Sequence, residues 1–140
     1  MIGRLNHIGV ATPSIERSVA IYRDLLGATA IGEPFDLPVQ GVRVCFVDLP
    51  NTQVELIEPL GEGSPISGFL AKNPAGGQHH VCFEVADIGA AVAEMTARGA
   101  TVLGPPRIGA HGTPVIFLHP RDMGGVLVEL METPGVAGGH

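Results

Sequence analysis

The chain has 140 residues, enough for one domain or for two small modules sharing a core. Eight Lys and Arg residues stand against 14 acidic ones, a formal charge of −6. That balance excludes nucleic acid or an anionic membrane surface as a general partner, yet leaves room for an anionic small molecule in a locally positive pocket. Tryptophan is absent and aromatic residues are sparse, which argues against a base-stacking surface. The apolar runs are too short to span a bilayer, and MIGRLNH leads directly into a strand-like pattern with no room for a signal or transit segment. A cytoplasmic location is therefore expected.

From the N-terminus, HIGVA reads as a strand bearing His7, TPS as a turn, and IERSVAIYRDLLGA as an amphipathic helix. That helix is expected to bury Val19, Tyr22, Leu25 and Leu26, which recur at helical spacing. VRVCFVDLPNTQVELIEPLG follows as strand, turn and strand, with Glu55 in the last. EPLGEGSPISGFLAKNPAGGQ is expected to hold a short helix over 65–72, with Ser64 as N-cap, and a glycine-rich connector. The pattern then starts again. HVCFEV is a strand bearing His80, Ala86-Asp87 a turn, and the next segment a helix with Ala91, Val92 and Met95 on one side. TPVIFLHPRDMGGVLVELMETPG repeats strand, turn and strand, with Glu129 in the last.

The two halves match in detail. Each opens on His, has Ile eight and Val twelve residues later, and closes on Gly-Ala with an offset of one residue. Glu55 follows His7 by 48 residues, and Glu129 follows His80 by 49. The expectation is an α+β fold of two tandem β-α-β-β-β modules, about 4–60 and 78–133, joined by a helical connector at about 61–77. Their mixed sheets are expected to curl into an open cleft, with helices packed on the outside. Cys45 and Cys82 lie in strand-like runs without C-x-x-C spacing and read as two buried, reduced thiols.

Alternation puts Val54 and Leu56 on one face and Glu55 on the other, and likewise sets Val128 and Leu130 opposite Glu129. A carboxylate on the helix-free face, flanked by apolar residues, needs an ion pair, a proton or a metal. Two Glu and two His at equivalent repeat positions suggest one shared site: His7, Glu55, His80 and Glu129. Two imidazoles and two carboxylates suit a borderline divalent cation such as Co, Ni, Zn, Mn or Fe(II), with cobalt first, rather than Ca. Four protein ligands leave two octahedral positions for a bidentate substrate. A cation at a carbonyl oxygen stabilises an enolate, and a neighbouring carboxylate can move the proton α to that carbonyl. There is no P-loop, G-x-S-x-G, G-x-G-x-x-G or H-E-x-x-H motif.

LNHIGVA, NTQVELIEPLGEGSPISGFLAKNPAGGQHHVCFEV and IGAHGTPVIFLHPRDMGGVLVEL resemble the vicinal oxygen chelate (glyoxalase/dioxygenase) superfamily, and within it the methylmalonyl-CoA epimerase family. The resemblance runs from about Leu5 to Glu132. It implies an isomerase, a racemase or epimerase that interconverts (2R)- and (2S)-methylmalonyl-CoA in propionyl-CoA metabolism. Some bacterial members also act on ethylmalonyl-CoA. It assigns the metal ligands to His7, Glu55, His80 and Glu129 and makes Glu129 one acid/base group; the symmetry of the repeat suggests Glu55 as the second, as the ligand glutamates of glyoxalase I are understood to serve. Some relatives carry a Glu four residues after the Gln of QGV, where this chain has Val44, and relatives often have Glu where this chain has Val39. Family analogy suggests a homodimer.

Candidate substrate contacts are Gln40 toward the substrate carboxylate, His111 closing over the substrate, and Lys72, Arg107 and Arg121 toward the CoA phosphates; the alternatives are a surface position for Gln40, a plain loop role for His111 and solvated side chains for the three cations. His79 is expected to shape a turn, His119 to bond locally before Pro120, and His140 to lie in a Gly-rich tail. Two other functions fit the ligand pattern. One is a glyoxalase I (lactoylglutathione lyase)-type isomerase, and the other is a non-catalytic small-molecule-binding protein of the same fold.

Overall fold

HIGVA and QVELIEP are short runs rich in β-branched and apolar residues, and they pair side by side. In the computed structural model, which describes residues 1–135, β1 (Leu5–Ala11) lies parallel to β4 (Gln53–Pro59), with His7 opposite Gln53 and Gly9 opposite Glu55. His140 lies outside the described residues. β4 also pairs antiparallel with β3 (Val42–Asp48), which pairs with the short β2 (Phe35–Leu37), giving the order β2-β3-β4-β1. Over one face lies helix α1 (Ile15–Ala20). Ile15 packs there with Cys45, Val47, Val54 and Leu56, while Val10, Val19 and Tyr22 close the edges. Two acceptors hold the helix start: the Ser14 hydroxyl takes the Arg17 N–H at 3.2 Å, and Glu58 takes the Ile15 N–H at 2.7 Å.

The same plan recurs downstream. β5 (Gly77–Val85) is parallel to β8 (Val128–Glu132), and β8 continues antiparallel to β7 (Pro114–Leu118) and then β6 (Arg107–Ile108), in the order β5-β8-β7-β6. Helix α3 (Ile88–Ala97) buries Ile88 and Ala91 against Val85, Ile116, Leu118, Val128 and Leu130. Asp87 caps it by accepting the Ala90 N–H at 2.8 Å, and Glu132 takes the Ile88 N–H at 3.1 Å. Glu58 and Glu132 are thus equivalent, each three residues past the candidate ligand glutamate. On the helix-free face Cys82, Val115 and Met131 form a smaller buried cluster.

The chain divides into two compact units. One is His7–His79; the other joins Met1–Asn6 to the described residues from His80 onward. Within that second unit the Gly3 N–H donates to the Glu84 carbonyl at 2.6 Å, and the Glu84 N–H donates to the Arg4 carbonyl at 3.0 Å. Between β4 and β5 stands α2 (Ser67–Lys72). Among the described residues no helix is long and apolar enough to cross a membrane.

Two expectations about local structure are corrected. Leu25 and Leu26 do not face the core: they are 79 % and 67 % exposed. After α1 the backbone widens into a π-helical turn, Ile21–Leu25, in which the Leu26 N–H reaches the Ile21 carbonyl five residues back at 3.1 Å. One residue more per turn rotates the next side chains away from the sheet. That turn absorbs the single extra residue that the first repeat carries before its Gly-Ala. Ser64 is not the cap of α2 either. Its hydroxyl donates to the Gly41 carbonyl at 2.7 Å, and its own carbonyl takes the Ser67 N–H, so the helix begins at Ser67.

Candidate active site

Strand alternation builds one His–Glu pair in each unit. In the first unit Val10 and Leu56 face α1, so His7 on β1 and Glu55 on β4 point to the other side. His7 is 1 % exposed, and its Nε2 stands 3.5 Å from Glu55 Oε1. In the second unit Phe83 and Leu130 face α3, and His80 and Glu129 share the opposite side. There His80 Nε2 stands 3.2 Å from Glu129 Oε1, with both side chains buried. The register is the same in each case: the glutamate lies opposite the residue two past its histidine, Gly9 for Glu55 and Cys82 for Glu129. On the next strand it lies opposite a phenylalanine, Phe46 for Glu55 and Phe117 for Glu129. The Phe117 ring meets the His80 ring edge-on, with centroids 5.6 Å apart and planes at 81°.

These separations suit metal ligands. Donors bonded at about 2.0–2.2 Å to one ion stand roughly 3.0 Å apart at a right angle and roughly 3.4 Å apart at the tetrahedral angle. An imidazole nitrogen and a carboxylate oxygen at 3.5 and 3.2 Å are already spaced as neighbouring ligands of a single ion. The donor set, nitrogen and oxygen without thiolate, fits a divalent transition metal.

The remaining candidates fall on turns and surfaces. Gln40 ends a 3₁₀ turn, Pro38–Gln40, closed by Gly41 at φ 67°, whose N–H donates to the Pro38 carbonyl. His111 precedes Gly112 at φ 81°, whose N–H donates to the Gly109 carbonyl. Both glycines adopt the left-handed conformation that a side chain resists, and they place Gln40 and His111 at matching points of the two hairpins. Lys72 is exposed at the end of α2, and Arg107 is exposed on β6. Arg121 donates to Thr101 Oγ1 at 3.0 Å, a tie to the segment that follows α3. His119 Nδ1 accepts the Arg121 N–H at 3.1 Å, capping the Pro120–Asp122 turn. His79 stacks edge-on against Phe69 of α2, with centroids 5.2 Å apart.

Sequence reasoning missed three features. Phe46 and Phe117 were recognisable as equivalents from their spacing to the glutamates. The capping roles of Glu58 and Glu132 were signalled by the repeat extending from V-E-L to V-E-L-x-E. Cys82 was grouped with Cys45, but the two thiols face opposite sides of their sheets. Cys45 packs under α1 with Sγ 3.3 Å from the Gly32 carbonyl, and burial pushes its pKa up. Cys82 lies on the same side as Glu129.

Residues 6–117 match the family model described as Glyoxalase/Bleomycin resistance protein/Dioxygenase superfamily. An ethylmalonyl-CoA/methylmalonyl-CoA epimerase from Cereibacter sphaeroides is 60 % identical over 134 residues, covering 94 % of this chain and 99 % of that one. A mitochondrial methylmalonyl-CoA epimerase from Bos taurus is 56 % identical over 94 % of this chain and 75 % of its own. A Streptomyces coelicolor methylmalonyl-CoA epimerase variant, solved with 2-nitronate-propionyl-CoA, superposes with a TM-score of 0.86 at 34 % identity, covering 96 % of this chain and all of the other. The matched model, the identities and the paired β-α-β-β-β modules agree: the chain belongs to the glyoxalase/bleomycin resistance protein/dioxygenase superfamily, with the α+β vicinal oxygen chelate fold.

Proposed function

We propose that the chain is an isomerase that epimerises (2R)- and (2S)-methylmalonyl-CoA, with ethylmalonyl-CoA as a second substrate. The observation that carries the reading is the buried His–carboxylate pair at neighbouring-ligand spacing, repeated in each module on the helix-free face. The high identity to epimerases of this substrate class supports it. His7, Glu55, His80 and Glu129 would hold the divalent ion, cobalt first, with Ni, Zn, Mn and Fe as alternatives. Such an ion would supply positive charge where negative charge develops on the thioester oxygen.

Glu129 takes the α-proton from one face, and Glu55, itself protonated, returns a proton on the other; each carboxylate can act only while it is released from the ion. Val44 and Ile57 beside Glu55, and Val115 and Met131 beside Glu129, are buried and apolar, which keeps bulk water from competing for that proton. With Val44 standing where some relatives have a glutamate, Glu55 takes the second carboxylate role. Gln40 contacts the substrate carboxylate, His111 closes over the substrate, and Lys72 meets the CoA phosphates. The chain works as a cytoplasmic homodimer in propionyl-CoA metabolism, its two modules joined by the α2 connector.

The test is incubation with (2S)-methylmalonyl-CoA in D₂O, following the α-proton by NMR. Exchange is expected with metal present, is lost on chelation and returns with Co(II). A metal-loaded protein that exchanges nothing overturns the reading. The hemithioacetal of methylglyoxal and glutathione is expected to be inert, and its turnover would instead indicate a glyoxalase I activity.

A further inference from the structure

Among the described residues Glu84 is the least exposed carboxylate, at 4 %, and no step of the proposed reaction uses it. It lies on β5 four residues past His80, so alternation puts it on the same side of the strand. One oxygen, Oε2, accepts two hydrogen bonds of 2.8 Å, from Arg4 Nη1 and from Asn6 Nδ2. A buried carboxylate is retained only when donors replace its hydration, and both donors come from the segment that leads into His7.

The repeat shows what is particular about this anchor. Each candidate histidine has a glycine four residues before it, Gly3 for His7 and Gly76 for His80, and each glycine is pressed against a strand carbonyl. Gly3 lies against the Glu84 carbonyl, and a side chain at Gly76 would collide with that of Ala11. Ala11 is the positional equivalent of Glu84 and has no polar side chain. The run into His80 is thus set by backbone contact, and the run into His7 has a charged clamp in addition. The Asn6–Glu84 bond restrains the residue whose peptide leads directly into His7.

We propose that Glu84 is a positioning residue for His7, holding Asn6 and Arg4 so that the imidazole is presented in ligand geometry. This rests on reading His7 as a metal ligand. The Arg4 side chain is 59 % exposed, so its ion pair is screened and the buried Asn6 bond carries most of the effect.

The experiment titrates Co(II) into wild type, Glu84→Gln, Asn6→Ala and Arg4→Ala, reading affinity and the visible d–d band. The His imidazole ¹H–¹⁵N spectrum is recorded on each metal-free protein. Glu84→Gln and Asn6→Ala are expected to weaken Co(II) about tenfold, as loss of a ligand-orienting partner does. They should also shift the band and the His7 imidazole signal while leaving that of His119 in place. Arg4→Ala should change less. Wild-type affinity, band and His7 signal in a folded Asn6→Ala protein, whatever its melting temperature, overturn the proposal. If wild type binds no Co(II), the ligand reading of His7 fails, and the His7 signal alone then decides whether Glu84 positions that ring.

Discussion

The first unit and the second run the same program with different tolerances. Their His- and Glu-bearing strands agree residue for residue: histidine, glutamate opposite the second residue onward, phenylalanine opposite the glutamate on the far side. Their helices do not agree. α3 runs through ten regular residues, while α1 stops after six and passes into a π-helical turn. An added residue in a strand would flip every later side chain to the other face and take the glutamate out of the site. An added residue in a helix that only covers the sheet is absorbed in one widened turn, with two leucines moved into solvent. Parts that aim chemistry are held to single-residue accuracy; parts that cover a core are not.

The comparison can be broken first at its chemistry. Glu129→Gln should lower α-proton exchange by roughly 10²–10⁴-fold, and Glu55→Gln by a similar factor if the two carboxylates serve opposite faces. Full exchange by a metal-loaded Glu55→Gln protein would make the modules unequal and remove Glu55 from proton transfer. Next come the cores. Leu56→Ala and Leu130→Ala empty equivalent, fully buried positions beneath the two helices, and each should lose about 2–5 kcal/mol in urea unfolding. Markedly different losses would show that the π turn has loosened the first core.

A smaller effect is expected at the capping glutamates. Replacing Glu58 or Glu132 by Ala leaves the first helical N–H without its carboxylate and should cost about 1–2 kcal/mol in the same assay. The 2.7 Å bond of Glu58 should prove the more valuable of the two, against 3.1 Å for Glu132. The smallest effect belongs to the π turn: Leu25→Lys should shift stability by less than about 0.5 kcal/mol, because that side chain is already in water. A loss of several kcal/mol would mean that Leu25 is covered in solution.

The elements that define the site were legible because they repeat. A period-two pattern places Glu55 opposite Val54 and Leu56 regardless of context, and a second copy places Glu129 in the same way. The exposure of Leu25 was not legible by periodicity, since helical spacing assumes a constant turn and the widened turn breaks that assumption. The one-residue offset between the repeats was its only trace. Ser64 failed as a cap for a different reason: a serine before a helical segment is a good cap in isolation, but the Gly41 carbonyl across the fold competes for its hydroxyl. Glu84 could not be assigned from sequence, because its partners lie 80 and 78 residues away at Arg4 and Asn6.

That long separation has a consequence for synthesis. Met1–Asn6 leaves the ribosome before the rest of the unit to which it belongs. At about 5–20 residues per second, on the order of 4–16 s pass before Glu84 follows it out. For that interval the run leading into His7 has no carboxylate to hold it, while the rest of the first unit, complete by His79, is free to form. The first unit is thus free to form its sheet and helix before Glu84 reaches the segment that leads into His7.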